Sequence, residues 1–352
     1  MPGIFDRLSS LVSTPFRRRL CSLYGLLAVA NIAAWIWAFA ELGHQPVLLG
    51  TAFLAYTFGL RHAVDADHIA AIDNVTRKLM QQGQRPIGVG SFFSLGHAAV
   101  VVIMTLAVAF AAAEITSRFG AMKAVGSVIS TLVSAGFLFL LAFVNIVVLK
   151  SVYRTFTAVR QGRPFVEDDF DMLLNGRGLL ARLFRPVFAF VSKSWHMFPI
   201  GFLFGFGFDT ATEVALFGIS ATQASDGLSL GTILVFPALF TVGMTLVDTT
   251  DGVLMLGAYG WAFDKPMRKL FYNMTITAVS VIVAVFVGGI ETLGLISAKF
   301  ELQGPFWQTV GAVNDNFGLL GYGIIGLFVL SWIVSFVIYR AGGYDRIEVA
   351  KA

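Results

Sequence analysis

Eight long apolar stretches limit what this chain can fold into. A membrane-spanning helix needs about 20 consecutive, mostly apolar residues. The chain is 57% hydrophobic and only 13% charged, which is more apolar surface than a soluble fold of this size could bury. We therefore predict an all-α polytopic membrane protein with eight transmembrane helices. The predicted spans are 20–41, 47–73, 87–113, 124–149, 196–220, 229–257, 271–296 and 318–339.

Lysine and arginine residues give the predicted orientation. With the N-terminus inside, 21 of the 25 basic residues fall in cytoplasmic segments, eight of them in a predicted cytoplasmic loop at 150–195. Only Arg118, Lys123 and Lys299 fall outside, and Arg61 lies within a span. An excess of basic residues in the cytoplasmic loops is the usual pattern of such proteins. The sequence therefore predicts that both termini lie in the cytoplasm.

Several classes of function are disfavoured by features the sequence lacks. The basic residues are spread over separate loops, so no nucleic-acid partner is expected. The single cysteine, Cys21, allows neither a disulfide framework nor a site of several thiolates. No G-x-x-x-x-G-K-[ST] motif occurs, so no ATPase of the P-loop type is evident in the chain. The partner that the composition does require is the lipid bilayer.

Acidic and histidine side chains occur inside the predicted spans, where charged groups are costly and usually functional. Arg61 alone cannot balance so many carboxylates, whereas a bound cation could, and so could protons held on the carboxylates. The residues concerned are Asp65, Asp67, Asp73, Asp209, Glu213, Asp248, Asp251, Glu291, His62, His68 and His97.

The densest cluster lies in the second span. On a continuous helix, His62, Asp65 and His68 fall within an arc of about 120° and can face one cavity. Asp67 lies about 100° further round the helix from His68, outside this arc. Either it pairs with a neighbouring helix, or it orients a histidine, or the helix is distorted here. Gly59 favours distortion. Two histidines and two aspartates within seven residues predict a metal site.

Other polar residues extend this prediction to neighbouring spans. His97 is a further candidate ligand in the third span. Asp209 and Glu213 are four residues apart on one helix face, and Asp248 and Asp251 are three apart, so each pair repels unless a cation or proton intervenes. We predict that these acids line a transport path or support the ligands, as Arg61 would. Asn31 is a buried amide that either joins two helices or belongs to this path.

The residue types restrict the ion. Imidazole with carboxylate suits nickel, cobalt, zinc or iron(II), whereas copper(I) prefers thiolates. Calcium and magnesium prefer shells of oxygen atoms. These preferences do not separate nickel from cobalt.

Four separated motifs resemble the nickel/cobalt transporter (NiCoT) family of single-component permeases. The first contains the His-x4-Asp-His signature of that family, and the similarity extends through nearly the whole chain, including Tyr272–Thr277. One departure is that Ala98 and Ala99 follow His97 where a hydroxyl residue is expected. The motifs are Arg61–Ile69 (RHAVDADHI), Phe93–His97 (FSLGH), Gly207–Glu213 (GFDTATE) and Gly243–Gly252 (GMTLVDTTDG).

The resemblance is greatest to high-affinity nickel permeases of hydrogenase-producing bacteria. It implies eight spans in the bacterial inner membrane, uptake of Ni²⁺ and in some members Co²⁺, and no cofactor beyond the transported ion. It also implies essential roles for His62, Asp65, Asp67 and His68. The expected function is therefore that of a secondary permease, with uniport and proton coupling both open.

Three other functions fit some of these features. An exporter of the same metals could use the same residues, but the predicted loop 150–195 has no histidine-rich tract. A membrane metalloenzyme of the di-iron type needs more histidines than the five present, and the protease motif H-E-x-x-H is absent. A metal sensor without transport is the third alternative. We predict that the chain is not an enzyme.

Overall fold

A computed structural model describes residues 14–110, 112–161, 191–206, 211–225, 227–262 and 266–344, and every regular element within them is a helix. The first five helices precede the predicted loop and the other six follow it, after a short 3-10 turn at Ser194–His196. The first group is α1 (Thr14–Leu42), α2 (Pro46–His62), α3 (Ala66–Gln81), α4 (Val89–Phe110) and α5 (Ala112–Arg160). The second group is α6 (Met197–Phe204), α7 (Ala211–Ser225), α8 (Leu230–Ala262), α9 (Pro266–Lys299), α10 (Pro305–Asn314) and α11 (Phe317–Ala341).

Membrane-spanning helices dominate the part of the chain that is described, which confirms an all-α polytopic membrane protein. Six helices are long and apolar enough to cross a bilayer, and the bent pair α2–α3 can supply a seventh span. The predicted span 196–220 corresponds to α6 and α7, of 8 and 15 residues. Residues 207–210 between them lie outside the described chain, so this segment is not among the seven.

Two helix boundaries differ from the prediction. Helix α5 starts at Ala112, so the segment predicted to connect the third and fourth spans is already helical. The same helix continues to Arg160, beyond the predicted span end at 149. Hydropathy detects only the apolar middle of such a helix, because its polar ends can stay helical outside the apolar layer.

The second span is two helices rather than one. Helix α2 ends at His62, α3 begins at Ala66, and their axes are bent by 51°. At the break Asp65 has an extended backbone (φ −66°, ψ 147°), and its backbone N–H donates to the carbonyl of His62 at 3.0 Å. The expectation of a distorted helix is therefore confirmed, although the break follows His62 rather than Gly59.

Helix α3 is buried along nearly its whole length despite its polar sequence. Its buried residues include Asp73, Asn74, Thr76, Arg77 and Lys78. Helices α5, α8, α9 and α11 pack around it. Polar groups are tolerated at membrane depth when protein rather than lipid surrounds them.

Helix α8 occupies the centre of the bundle, where it packs against α1, α2, α3 and α4. Glycines allow the closest of these approaches. A Cβ atom placed on Gly59 of α2 would lie 2.1 Å from the carbonyl oxygen of Phe240, and one on Gly90 of α4 would lie 1.9 Å from that of Asp248. Small residues at such crossings let two helix backbones touch.

We expect Gly59→Ala to destabilise the protein, because the added methyl group must push the α8 backbone away from α2. Gly50→Ala is the matched control, since Gly50 lies on the same helix with open space around its Cα. Thermal unfolding of both purified variants in detergent measures the effect. Overpacking should cost Gly59→Ala about 1–3 kcal/mol, whereas Gly50→Ala should be neutral or stabilised by helix propensity. Equal stability of the two would contradict this account of the crossing.

Candidate metal centre

Three histidines from two chain segments converge at the break in the second span. His62 is the last residue of α2, His68 lies in the first turn of α3, and His97 lies in α4. One ring nitrogen from each lies within 4.8 Å of the others. The three side chains are buried, with residue exposures of 2%, 0% and 3%.

A carboxylate completes a compact triangle of donor atoms with two of these rings. The Nε2 atoms of His62 and His97 are 3.0 Å apart, and Glu213 Oε1 lies 2.8 Å from His97 Nε2 and 3.9 Å from His62 Nε2. A triangle with these sides has a point about 2.0 Å from all three corners, which matches metal–ligand distances of about 2.0–2.2 Å for imidazole and carboxylate. The arrangement therefore has the size of a coordination site.

Two further carboxylates contact the Nδ1 atoms of His62 and His68. Asp65 Oδ2 lies 3.1 Å from His62 Nδ1, and the two carboxylate oxygens of Asp248 lie 3.3 and 3.2 Å from His68 Nδ1. Metal-binding imidazoles usually place the non-ligating nitrogen against such a group, which fixes the tautomer and ring orientation. In both residues the carboxylate leaves the Nε2 atom available. That of His62 faces His97, and that of His68 has no hydrogen-bond partner among the described residues.

Asp67 is close to the centre but is engaged with the backbone. It is half-buried at the start of α3, and its Oδ1 accepts the backbone N–H of His68 at 2.9 Å. An acidic side chain in the first turn of a helix also interacts favourably with the helix dipole. Asp67 therefore stabilises the start of α3, from which His68 projects. Of the alternatives considered from the sequence, the distorted helix is the one observed, and the hydrogen bond of Asp67 goes to the backbone of His68 rather than to its ring.

The remaining residues predicted for the path lie at varying distances from the centre. Asn31 joins helices, since it donates to the carbonyl oxygens of Leu27 and Val242 and accepts the hydroxyl of Tyr56.

Arg61 is exposed on α2. Asp251 is half-buried on α8, one turn from Asp248, and its Oδ2 has no partner in the described chain. Asp209 lies outside the described residues.

A second polar cluster continues along α3, and of its members only Asp73 was singled out from the sequence. Asp73 is fully buried rather than at a membrane edge, and it accepts the hydroxyls of Tyr259 and, at 2.7 Å, Ser280. One turn further on, Arg77 is 1% exposed and donates to Thr277 and Asn74. We call this cluster the α3 polar seam; its members are Asp73, Asn74, Arg77, Asn145, Tyr259, Thr277 and Ser280.

The sequence did carry one signal for this seam. Hydropathy in the second predicted span falls after Leu60 and remains low to its end, which is unusual for a helix in contact with lipid. Hydroxyl and amide groups on other spans are common in membrane proteins, so nothing in the sequence alone linked Thr277, Ser280 or Asn145 to α3. Thr212, whose hydroxyl lies 3.4 Å from His62 Nδ1, was missed for the same reason.

The fold and the site together define a class: a polytopic helical membrane protein with a buried centre of imidazoles and carboxylates sized for a transition-metal ion. The chain matches the model of the NicO family, described as high-affinity nickel-transport protein, over residues 48–338. It therefore belongs to this family.

Similar proteins are found in several bacteria. A "High-affinity nickel transport protein" of Cupriavidus necator is 60% identical, over 95% of each chain. A "Hydrogenase nickel incorporation protein HupN" of Bradyrhizobium diazoefficiens is 51% identical, over 90% of this chain and 83% of its own. A "Cobalt transport protein NhlF" of Rhodococcus rhodochrous is 38% identical, over 90% of this chain and 91% of its own. No solved structure matches the chain.

We expect Glu213→Gln to lower the affinity of the purified protein for Ni²⁺ by at least about tenfold, because the change removes a charged donor 2.8 Å from His97 Nε2. Loss of a residue that only supports a metal ligand lowers metal affinity by about 10–100-fold. Loss of a ligand atom of the triangle should lower it by no less. Isothermal titration in detergent measures this affinity. Glu301→Gln, at an exposed position, is the control. Unchanged affinity in Glu213→Gln would remove Glu213 from the coordination site.

Proposed function

We propose that this chain is a single-component secondary permease that takes up Ni²⁺, and also Co²⁺, across the bacterial inner membrane. The observation that carries the proposal is the buried triangle of His62 Nε2, His97 Nε2 and Glu213 Oε1, whose size suits a first-row transition metal. The family description and the names of the relatives in Cupriavidus and Bradyrhizobium concern nickel, and that of the Rhodococcus relative concerns cobalt. The expectation that the chain is not an enzyme agrees with this family of transporters.

In this proposal the dehydrated ion binds His62, His97 and Glu213, with His68 as a further ligand. Asp65 and Asp248 orient the rings of His62 and His68, and Asp67 secures the first turn of α3. A mixed set of imidazoles and carboxylate suits Ni²⁺ and Co²⁺. It disfavours Mg²⁺ and Ca²⁺, which are abundant but prefer oxygen atoms.

The same proposal places eight spans in the membrane with both termini in the cytoplasm. The seven candidate spans, together with α6 and α7 as the eighth, support this arrangement. The basic residues support it as well, because only three of them fall in the segments placed outside. The break after His62 then lies within the bundle, and α3 leads from it towards the cytoplasmic side.

The route inward follows α3 and α8. Asp248 already contacts His68, Asp251 lies one turn further along α8, and the α3 polar seam continues in the same direction. Except for the guanidinium of Arg77, these groups offer oxygen atoms to an ion that has left the imidazoles. An inside-negative potential drives inward movement, by about 2.3 kcal/mol per charge per 100 mV and twice that for a divalent ion.

We expect His62→Ala and Asp67→Asn to abolish or strongly reduce high-affinity uptake of radiolabelled Ni²⁺. The first change removes a donor atom and the second weakens the start of the helix that carries His68. His44→Ala, which removes an exposed histidine between α1 and α2, is the control and should transport normally. Uptake at low nanomolar supply in cells with matched membrane expression is the measurement.

Two results would contradict the proposal. Near-normal affinity in both His62→Ala and Asp67→Asn would separate transport from the break in the second span. A fall in cellular nickel on expression of the unchanged protein would indicate export instead of uptake.

We expect Ni²⁺ uptake to weaken as the external pH becomes acidic. A metal binds only the deprotonated imidazole and carboxylate, so protons compete directly with the ion for its donors. Initial rates over a range of Ni²⁺ concentrations, at a membrane potential clamped with potassium and valinomycin, separate this effect from a change in driving force. The apparent KM should rise as the pH falls, and a constant KM would contradict competition at the imidazoles.

A further inference from the structure

A basic cavity lies at the N-terminal end of α1, and none of the residues that line it belongs to the metal centre. Its volume is about 640 Å³, and the described residues that line it are Pro15, Arg18, Arg19, Ser22 and Ile87. A smaller neighbouring cavity of about 160 Å³ shares Pro15, Arg19 and Ile87 and adds Phe16 and Arg85. No carboxylate is among these lining residues.

The arginines of the two cavities come from separate segments. Arg18 and Arg19 belong to α1, whereas Arg85 lies in the connection between α3 and α4, with its guanidinium 5.7 Å from the centre of the Phe16 ring. Guanidinium groups bind phosphate oxygens with two parallel hydrogen bonds. Three of them around a concave surface therefore favour an anion carrying a phosphate group.

Towards the C-terminal end of α1, the same face of the helix continues as an exposed apolar stripe. At 100° per residue, Pro15, Arg18, Arg19 and Ser22 share one side of the helix, and Leu26, Val29 and Ile36 lie on the same side. These three side chains are 66%, 63% and 64% exposed. The face therefore joins a cationic end to an apolar surface of a spanning helix, as a phospholipid joins its headgroup to its acyl chains.

We propose that this face of α1 binds an anionic phospholipid, with the headgroup phosphate in the basic cavity and an acyl chain along Leu26, Val29 and Ile36. Basic pockets at the cytoplasmic ends of spanning helices are suited to such headgroups. The site is independent of the transport function; only the assignment of the lipid to the cytoplasmic leaflet rests on the proposed orientation. A soluble phosphate would use the arginines but gain nothing from the apolar stripe.

Neighbouring arginines provide a matched control. Arg17 is exposed like Arg18 and Arg19, yet it points about 140° away from Ser22 around the helix and lines neither cavity. A double variant, Arg18→Gln with Arg19→Gln, removes two cavity charges, while Arg17→Gln removes one charge from the same helix end without altering the cavity.

The test is binding of fluorescent phosphatidylglycerol to delipidated, purified protein in neutral detergent. Unlabelled phosphatidylglycerol, phosphatidylcholine, glycerophosphoglycerol and inorganic phosphate serve as competitors, and Ni²⁺ binding checks that each variant is folded. We expect the double variant to lose affinity by roughly 30-fold, the factor that two arginines near a membrane surface supply. Arg17→Gln should stay within about twofold of the unchanged protein, and only phosphatidylglycerol should compete effectively.

Three outcomes would overturn the proposal. Equal losses in Arg17→Gln and the double variant would indicate attraction to the general positive charge of this end of the helix. Unchanged binding in the double variant would place the lipid elsewhere. Competition by inorganic phosphate or glycerophosphoglycerol as strong as that of the whole lipid would indicate a site for a soluble anion.

Discussion

The rest of the structure depends on the need to hold several charged and polar groups at one point inside an apolar bundle. A buried carboxylate or imidazole is costly when it lacks polar neighbours. The break between α2 and α3 meets this need, because it lets His62 and His68 approach His97 from two differently directed helices. Asp65, in the extended backbone of the break, supports His62 through its side chain. A straight helix would fix the spacing of these residues and leave no such freedom.

The burial of α3 follows from this arrangement. Once the second span turns away at Val64, its polar second half needs protein on all sides, and α5, α8, α9 and α11 supply it. The α3 polar seam gives Asp73 two hydroxyl donors and gives Arg77 a hydroxyl and an amide oxygen as acceptors. Glycines at the crossings of α8 with α2 and α4 let these helix backbones come into contact.

Much of the fold was accessible from the sequence because lipid imposes a simple rule on composition. Long apolar runs predicted most of the helices, and the scarcity of compensating charge drew attention to His62, His68 and His97, which the structure brings together. Helix periodicity could not give the position of the break, since it assumes a straight axis through Ala63 and Asp65. It also could not show that Glu213, from another span, lies beside His97, because sequence spacing has no information about which helices are neighbours. The hydrogen-bond partners of Arg77 could not be predicted for the same reason.

The contact between the Nε2 atoms of His62 and His97 has a consequence for the position of the ring hydrogens. Two ring nitrogens 3.0 Å apart cannot both present lone pairs to each other, so one of them carries a hydrogen. Placed on His97 Nε2, this one hydrogen also faces Glu213 Oε1, 2.8 Å away. To offer Nε2 to a metal ion, His97 must carry this hydrogen on Nδ1 instead, an atom without a hydrogen-bond partner among the described residues. In the proposed permease, metal binding therefore includes a change of tautomer at His97 as well as the arrival of the ion.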